Sequence, residues 1–210
     1  MKLYTYWRSS AAYRVRIALN LKGIECAHVH VSLVKGEQAA PAYAALNPQC
    51  LVPALETGGG EILTQSLAII DWLEAHWPEP ALLPADPLDR ARVLAAAHTV
   101  AMDIHPVNNL RILKALTQRF DASESARRGW MHHWMRLGFD TLEASLPAPQ
   151  FAFGTTPGLA DLCLIPQLYN ARRWGLNLTP WPKLTAVEAH CLALPAFAAA
   201  APEAQADATG

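Results

Sequence analysis

Leu51-Val52-Pro53-Ala54-Leu55-Glu56-Thr57-Gly58-Gly59-Gly60-Glu61-Ile62-Leu63-Thr64-Gln65-Ser66 is the stretch whose reading decides the fold. Leu51 to Glu56 and Glu61 to Leu63 read as short strands. The connection Thr57-Gly58-Gly59-Gly60 is so short and glycine-rich that it predicts an antiparallel hairpin. From Gln65 to His76 the apolar residues Ala68, Ile69, Trp72 and Leu73 fall on one face of a helix. Pro53 at the start of a strand requires an edge or a special geometry. A cis Val52-Pro53 bond would turn the amide and carbonyl of Val52 outward, ready to pair with an extended peptide. Taken alone, the same dipeptide is an ordinary trans turn.

Upstream, Lys2 to Tyr6 is an aromatic-rich strand. Val15, Ala18, Leu19 and the stem of Lys22 then recur at helical spacing from Ala11, and Gly23 stands where a left-handed cap belongs. Cys26 to Ser32 alternates as a strand, so strand, helix and strand predict a parallel crossover. A broken helical stretch from Gln38 to Ala45 and the Asn47-Pro48 turn lead back to the hairpin. The order βαβ then ββα predicts a thioredoxin-like domain over residues 1–80, a fold in which a cis-proline opening the third strand is a hallmark. Between Trp77 and Asp89 stand Pro78, Pro80, Pro84 and Pro87, which place a linker at 81–87. Residues 88–210 read as helical: Leu88 to Gln118, Ser123 to Leu146, and Leu159 to Trp174 with Gly158 at its cap and Asp161 reaching back to the cap amide. Shorter helices are expected near Lys183–His190 and Pro195–Ala200, followed by a frayed tail. The fold class is therefore α/β plus all-α, a thioredoxin-like domain followed by a helical bundle.

Composition limits the functions available. The 210 residues are 52% hydrophobic and 17% charged, enough apolar mass for a core. The formal net charge is −1 and Lys and Arg form no basic run, which argues against a nucleic-acid partner. The N-terminus lacks a secretory apolar region and no apolar run reaches membrane-spanning length, so a cytoplasmic protein is expected. Cys26, Cys50, Cys163 and Cys191 are scattered free thiols without a C-x-x-C pair. The histidines lack ligand spacing, and no metal site is expected.

Three elements carry candidate chemistry. Ser9 and Ser10 lie between the first strand and first helix, where a hydroxyl can donate to a thiolate and helix-end amides add positive potential. The same serines would serve as plain helix caps. Gln65-Ser66 opens the helix after the hairpin, where exposed amides attract a carboxylate, and Ser66 reads equally well as a simple N-cap. Val52-Pro53, at the other end of that hairpin, is placed to face the same short peptide.

These residues sit in a longer pattern. Ser-Ser-x-x-Tyr-Arg-Val-Arg-Ile-Ala-Leu spans Ser9 to Leu19, and Asn-Pro-x-x-x-Val-Pro-Ala-Leu spans Asn47 to Leu55. Gln-Ser-x-Ala-Ile-Ile spans Gln65 to Ile70, Asp-Ile-His-Pro-x-Asn-Asn spans Asp103 to Asn109, and Leu-Ala-Asp-x-x-Leu-x-Pro-Gln spans Leu159 to Gln167. With these motifs in this order, the chain resembles the zeta-class glutathione transferases, the maleylacetoacetate and maleylpyruvate isomerases. The resemblance implies a glutathione transferase architecture, glutathione as coenzyme and a homodimer. It implies Ser9, with Ser10 beside it, as the activating hydroxyl; Val52 and Pro53 for the cysteinyl backbone; and Gln65 and Ser66 for the γ-glutamyl group. Asp103, from the partner subunit, with His105 and Asn109, would complete the glutathione pocket, and Gln38 would lie near its glycine end. Where relatives often carry cysteine and proline, this chain has Ala11 and Leu67.

The implied substrate is a small dicarboxylate diketo acid with a cis double bond. Such a dianion calls for planar guanidinium partners, and Arg8, Arg111 and Arg173 are the candidates. The expected reaction is isomerisation of maleylacetoacetate to fumarylacetoacetate in tyrosine and phenylalanine catabolism, by reversible thiolate addition to the double bond. Alternatives are maleylpyruvate isomerisation in gentisate degradation, a conjugating zeta-class transferase, and a transferase-like scaffold without activity.

Overall fold

The computed structural model describes residues 1–208. They form two compact units: Met1–Leu82 together with the segment from Leu192 onward, and Leu83–Cys191.

The first unit is built on a four-stranded sheet. Strands β1 (Lys2–Thr5), β2 (Ala27–His30), β3 (Ala54–Glu56) and β4 (Ile62–Thr64) lie in the order β2-β1-β3-β4. β1 and β2 are parallel, with Leu3 opposite His28, and helix α1 (Ser10–Leu21) makes the crossover. β3 runs antiparallel to both β1 and β4, as the glycine-rich hairpin requires. Helix α1 starts at Ser9, whose Oγ accepts the Ala12 N–H at 3.2 Å, and ends at Gly23, whose φ of 64° only glycine adopts without cost. The stretch before the turn is a 3-10 turn (Glu37–Ala39) and a short helix α2 (Pro41–Leu46), and α3 (Ser66–His76) follows β4. Leu3, Val15, Ile17, Leu55, Ile69 and Leu73 make its core.

Residues 192–208 belong to this unit, where the sequence reading assigns all of 88–210 to the helical part. Helix α9 appears here after α4 (Pro87–His98), α5 (Leu110–Phe120), α6 (Glu124–Ser145), α7 (Leu159–Arg173) and α8 (Pro182–Leu192), and spans Pro195–Ala200. One face of α1 holds it. Tyr13 Oη donates to Phe197 O (3.4 Å), Arg16 Nε to Ala200 O (3.0 Å) and Asn20 Nδ2 to Ala196 O (2.9 Å). Residues 13, 16 and 20 share a helical face, so the carbonyls of a short helix find three donors in register. The described residues beyond it, as far as Ala208, are packed where the sequence reading expects a frayed tail. Gln205 Nε2 donates to the carbonyls of Ala199 and Ala201 at 2.9 Å each, and Asp207 accepts the Trp7 N–H.

The second unit is helical, α4 to α8. The single helix expected over Leu88 to Gln118 is instead four pieces. After α4 the backbone widens into a π-helical turn (Thr99–Ile104), where the His105 N–H reaches Val100 O at 2.9 Å. A 3-10 turn (Pro106–Asn108) follows, since Pro106 has no N–H to continue the ladder, and Asn109 caps α5. Gly138 of α6 lets Ile104, at the end of this turn, pack closely: a Cβ there would run into the Ile104 side chain. Asp161 behaves as expected, accepting the N–H of Gly158 and of Ala152 at 2.9 Å each. Its burial raises its pKa against the pull of those amides. No helix among the described residues is long and apolar enough to cross a membrane.

Candidate functional site

In the first unit two of the three candidate elements are tied together by packing. Tyr6, Trp7, Val31, Tyr43 and Val52 form one buried cluster, so the residues just before Ser9 share a core with the residue before Pro53. The Val52-Pro53 bond is cis, as the fold required. Below it the loop is braced by Tyr43 Oη and Asn47 Nδ2, which both donate to Leu51 O at 2.7 and 2.8 Å.

Ser9 is at the N-cap of α1 and half-buried, and Ser10 is the first residue of that helix. Capping and activation do not compete at Ser9. Its oxygen accepts the Ala12 N–H, which leaves the hydroxyl proton to donate to an anion at the helix end. The first turn of α1 carries no acidic side chain that would occupy this positive end. Arg8 lies one residue earlier, exposed, its guanidinium 4.0 Å from the centroid of the Trp7 ring.

At α3 the structure corrects one reading. Ser66 is not the N-cap; Gln65 is, in a backbone conformation with φ 69° and ψ 117°, and its side chain makes no capping bond. Gln65 Nε2 instead donates to Gln49 Oε1 at 2.9 Å, outside the helix. The leading amides of α3 are thus left by their own cap residue for another acceptor. Ser66 is buried, and its Oγ accepts from Arg14 Nη1 at 3.3 Å. A buried guanidinium therefore stands behind a helix N-terminus with no acidic residue in its first turn. This arrangement is suited to a carboxylate, the charge that both the helix end and the cation favour. Gln38 is on the 3-10 turn, its Oε1 buried and without a partner among the described residues.

Sequence reasoning passed over Arg14, Gln49 and Arg16. Arg16 is fully buried and donates to Thr5 Oγ1, Tyr6 O, Trp7 O and Ala200 O. Burial pushes its guanidinium down to about 10, so it stays charged at neutral pH. The signal was present: two arginines flanking one valine inside an otherwise apolar helix face are costly unless each is satisfied.

In the second unit, Asp103 is exposed on the π-helical turn and His105 half-buried just after it. Asn109 Oδ1 is engaged as the cap of α5, accepting the Arg111 N–H at 3.1 Å, and the Arg111 side chain is exposed. The motif Asp103 to Asn109 is therefore an irregular connection that offers polar groups without a continuous helix ladder. Arg173 ends α7, exposed, with Nη2 3.3 Å from Asn170 Oδ1 and its guanidinium 5.3 Å from the Trp174 ring centroid.

The family model described as glutathione S-transferase, N-terminal domain, matches residues 8–76. A maleylpyruvate isomerase from Ralstonia is 51% identical over 99% of each chain. A maleylacetoacetate isomerase from Pseudomonas aeruginosa is 47% identical over 99% of this chain and 98% of its own. A solved maleylpyruvate isomerase, described as a bacterial glutathione S-transferase in the zeta class, superposes with a TM-score of 0.97, 51% identity and full coverage of both chains. A maleylacetoacetate isomerase from Methylobacterium extorquens AM1, with malonate and glutathione bound, gives a TM-score of 0.96 at 38% identity, again over both full chains.

Proposed function

Since this chain belongs to the zeta class of glutathione transferases, with the maleylpyruvate and maleylacetoacetate isomerases, we propose that it is a glutathione-dependent cis–trans isomerase of a maleyl diketo acid. The observation that carries the reading is the N-terminus of α3. Its amides lack a side-chain cap, Ser66 stands at its first position, and buried Arg14 lies behind it. That set fits the γ-glutamyl carboxylate of glutathione.

Glutathione, when bound, supplies a thiol whose reversible addition makes the double bond single long enough to rotate. The chain's own residues do the rest. Ser9 donates its hydroxyl proton to the sulfur and, with the α1 amides, favours the thiolate. Val52 pairs its backbone with the cysteinyl unit, next to Pro53, and Gln65 and Ser66 hold the γ-glutamyl end. Gln38 serves the glycine end. Asp103 acts from the partner subunit of a homodimer, with His105 and Asn109 as further glutathione contacts. Arg8, Arg111 and Arg173 are cationic partners for the two substrate carboxylates and for charge that builds on the acyl oxygen.

Within this reading the first unit, residues 1–82 with the segment from Leu192, is the glutathione-binding domain and residues 83–191 supply the substrate side, in a cytoplasmic enzyme. The proposed physiological reaction is maleylacetoacetate to fumarylacetoacetate in tyrosine and phenylalanine breakdown. The 51% identity to a maleylpyruvate isomerase supports maleylpyruvate as the second reading. The two differ in the acyl tail alone, a difference a pocket discriminates weakly. The test is isomerisation of each diketo acid by purified protein, with and without glutathione. Turnover that requires glutathione establishes the class, and the kcat/KM ratio names the substrate. Glutathione binding without turnover of either acid would leave a conjugating transferase.

A further inference from the structure

The loop between β1 and α1 is held by more than the sheet. Tyr6 O accepts the Ser9 N–H at 2.9 Å and Arg16 Nη1 at 3.3 Å, and Trp7 O accepts Arg16 Nη2 at 3.0 Å. The Trp7 N–H donates to Asp207 Oδ2 at 3.1 Å, a contact spanning 200 positions of sequence. The other oxygen of Asp207 lies 3.0 Å from Nδ1 of His30, at the end of β2. One carboxylate thus bridges the strand end and the loop.

The tail that brings it there is anchored on both sides. Gln205 is buried and bonded to two carbonyls, and Ala208 packs on the cluster of Tyr6, Trp7, Val31, Tyr43 and Val52. The Asp207 side chain is 16% exposed. A carboxylate withdrawn from water needs partners, and its hydrogen bond here is from the amide next to Arg8 and two residues before Ser9, its other oxygen having only the His30 ring at ion-pair distance.

We propose that Asp207 is a positioning residue: by fixing the Trp7 amide it sets the direction of the Arg8–Ser9 segment and so the aim of the Ser9 hydroxyl. The proposal rests on the reading of that segment as the thiol-activating loop. Release of the Trp7 N–H loosens the Tyr6–Trp7 peptide plane, whose carbonyl accepts the Ser9 N–H, and a small rotation there displaces the Arg8–Ser9 segment. Misplacement on the order of 1 Å in such a site lowers the rate by up to about 10²-fold.

The test compares the full chain with Asp207→Ala and Asp207→Asn. Three quantities are measured: kcat/KM for isomerisation, the titration of the bound glutathione thiol by its ultraviolet absorbance, and hydrogen exchange of the Trp7 amide. The expected result for Asp207→Ala is a fall in kcat/KM of about tenfold, as for the loss of one charge-assisted bond. The bound thiol should titrate at higher pH and the Trp7 amide should exchange faster. Asn keeps an oxygen for the Trp7 N–H and should restore most of all three. Wild-type kcat/KM and thiol titration in Asp207→Ala would overturn the proposal. So would equal losses in both variants with the thiol titration unmoved, which is a loss of general stability alone. Should the unaltered chain isomerise neither diketo acid, the functional reading fails, while thiol titration and Trp7 exchange still decide the role of Asp207.

Discussion

Arg14 of helix α1 and Ser66 of helix α3 are joined by a hydrogen bond from Nη1 to Oγ at 3.3 Å, and both residues are buried. The bond links the helix whose first turn bears Ser9 to the helix whose N-terminus is the proposed carboxylate site. It makes Arg14 both a tie between two halves of the unit and a positive charge behind the proposed carboxylate site. Replacement by Lys keeps the charge but loses the planar fork. Arg14→Lys should weaken glutathione binding by about tenfold, the scale of one hydrogen bond to a charged group. Calorimetric titration of Arg14→Lys, Ser66→Ala and the double variant should show losses that do not add, as coupled neighbours require.

Ser9→Ala removes the one hydroxyl at the α1 cap whose oxygen is already fixed by the Ala12 N–H. It should lower kcat/KM by about 10²-fold, the scale of a lost oxyanion donor. Glutathione affinity should change far less, because the proposed γ-glutamyl site is at the N-terminus of α3. Near-normal turnover would shift the role to Ser10 or to the backbone amides.

Arg111 and Arg173 are exposed, so removing either should leave the fold intact. Arg111→Ala and Arg173→Ala should each raise KM for the diketo acid by about tenfold, with unchanged glutathione affinity, as loss of a bidentate carboxylate partner predicts. Steady-state kinetics with each substrate would check this, and an unaltered KM would return that arginine to the solvated surface.

Gly138→Ala tests the π-helical turn. Alanine favours a helix over glycine, yet a Cβ at 138 would collide with Ile104, next to Asp103. The clash should outweigh the propensity gain and destabilise the fold by about 1–3 kcal/mol, as overpacking does. Activity should fall in the surviving folded protein, since the turn that carries Asp103 and His105 must shift. Chemical denaturation with parallel kinetics would measure both.

A pH effect follows from the sheet. Lys2 Nζ and Tyr4 Oη each donate to Glu56 at 2.9 Å across β1 and β3, and the bonds from Lys2 and then Tyr4 hold the Glu56 carboxyl below its ordinary value of 4.5. A carboxyl lowered by folding binds fewer protons in the folded chain than in the unfolded one. Its contribution is therefore present above pH 4.5 and is lost as the pH falls through the lower folded value. Glu56→Gln should lower Tm at neutral pH, and the gap from the unaltered chain should close on acidification below 4.5. Melting curves across that range would show it, and a constant gap would count against the assignment.

Much of the molecule was legible in the chain. Periodicity and punctuation alone supplied the order of strands and helices in the first unit, the hairpin at Thr57–Gly60, the cap at Gly23 and the role of Asp161, because each is a local effect of backbone geometry. The motif series supplied the family and the candidate residues. What the chain did not disclose is long-range. One such contact is the close packing of Ile104, at the end of the π-helical turn, on Gly138, which no local pattern around Ile104 announces. Ser66 reads as a cap and is instead an acceptor for Arg14, whose burial only packing of α1 on α3 reveals. The tail reads as frayed because its composition is poor in large apolar groups. As far as Ala208 it is ordered because Gln205 finds two carbonyls and the Trp7 amide offers Asp207 a partner. Propensity is a property of neighbours in sequence and so sets the elements; satisfaction of buried polar groups is a property of neighbours in space, and only the tertiary structure decides it.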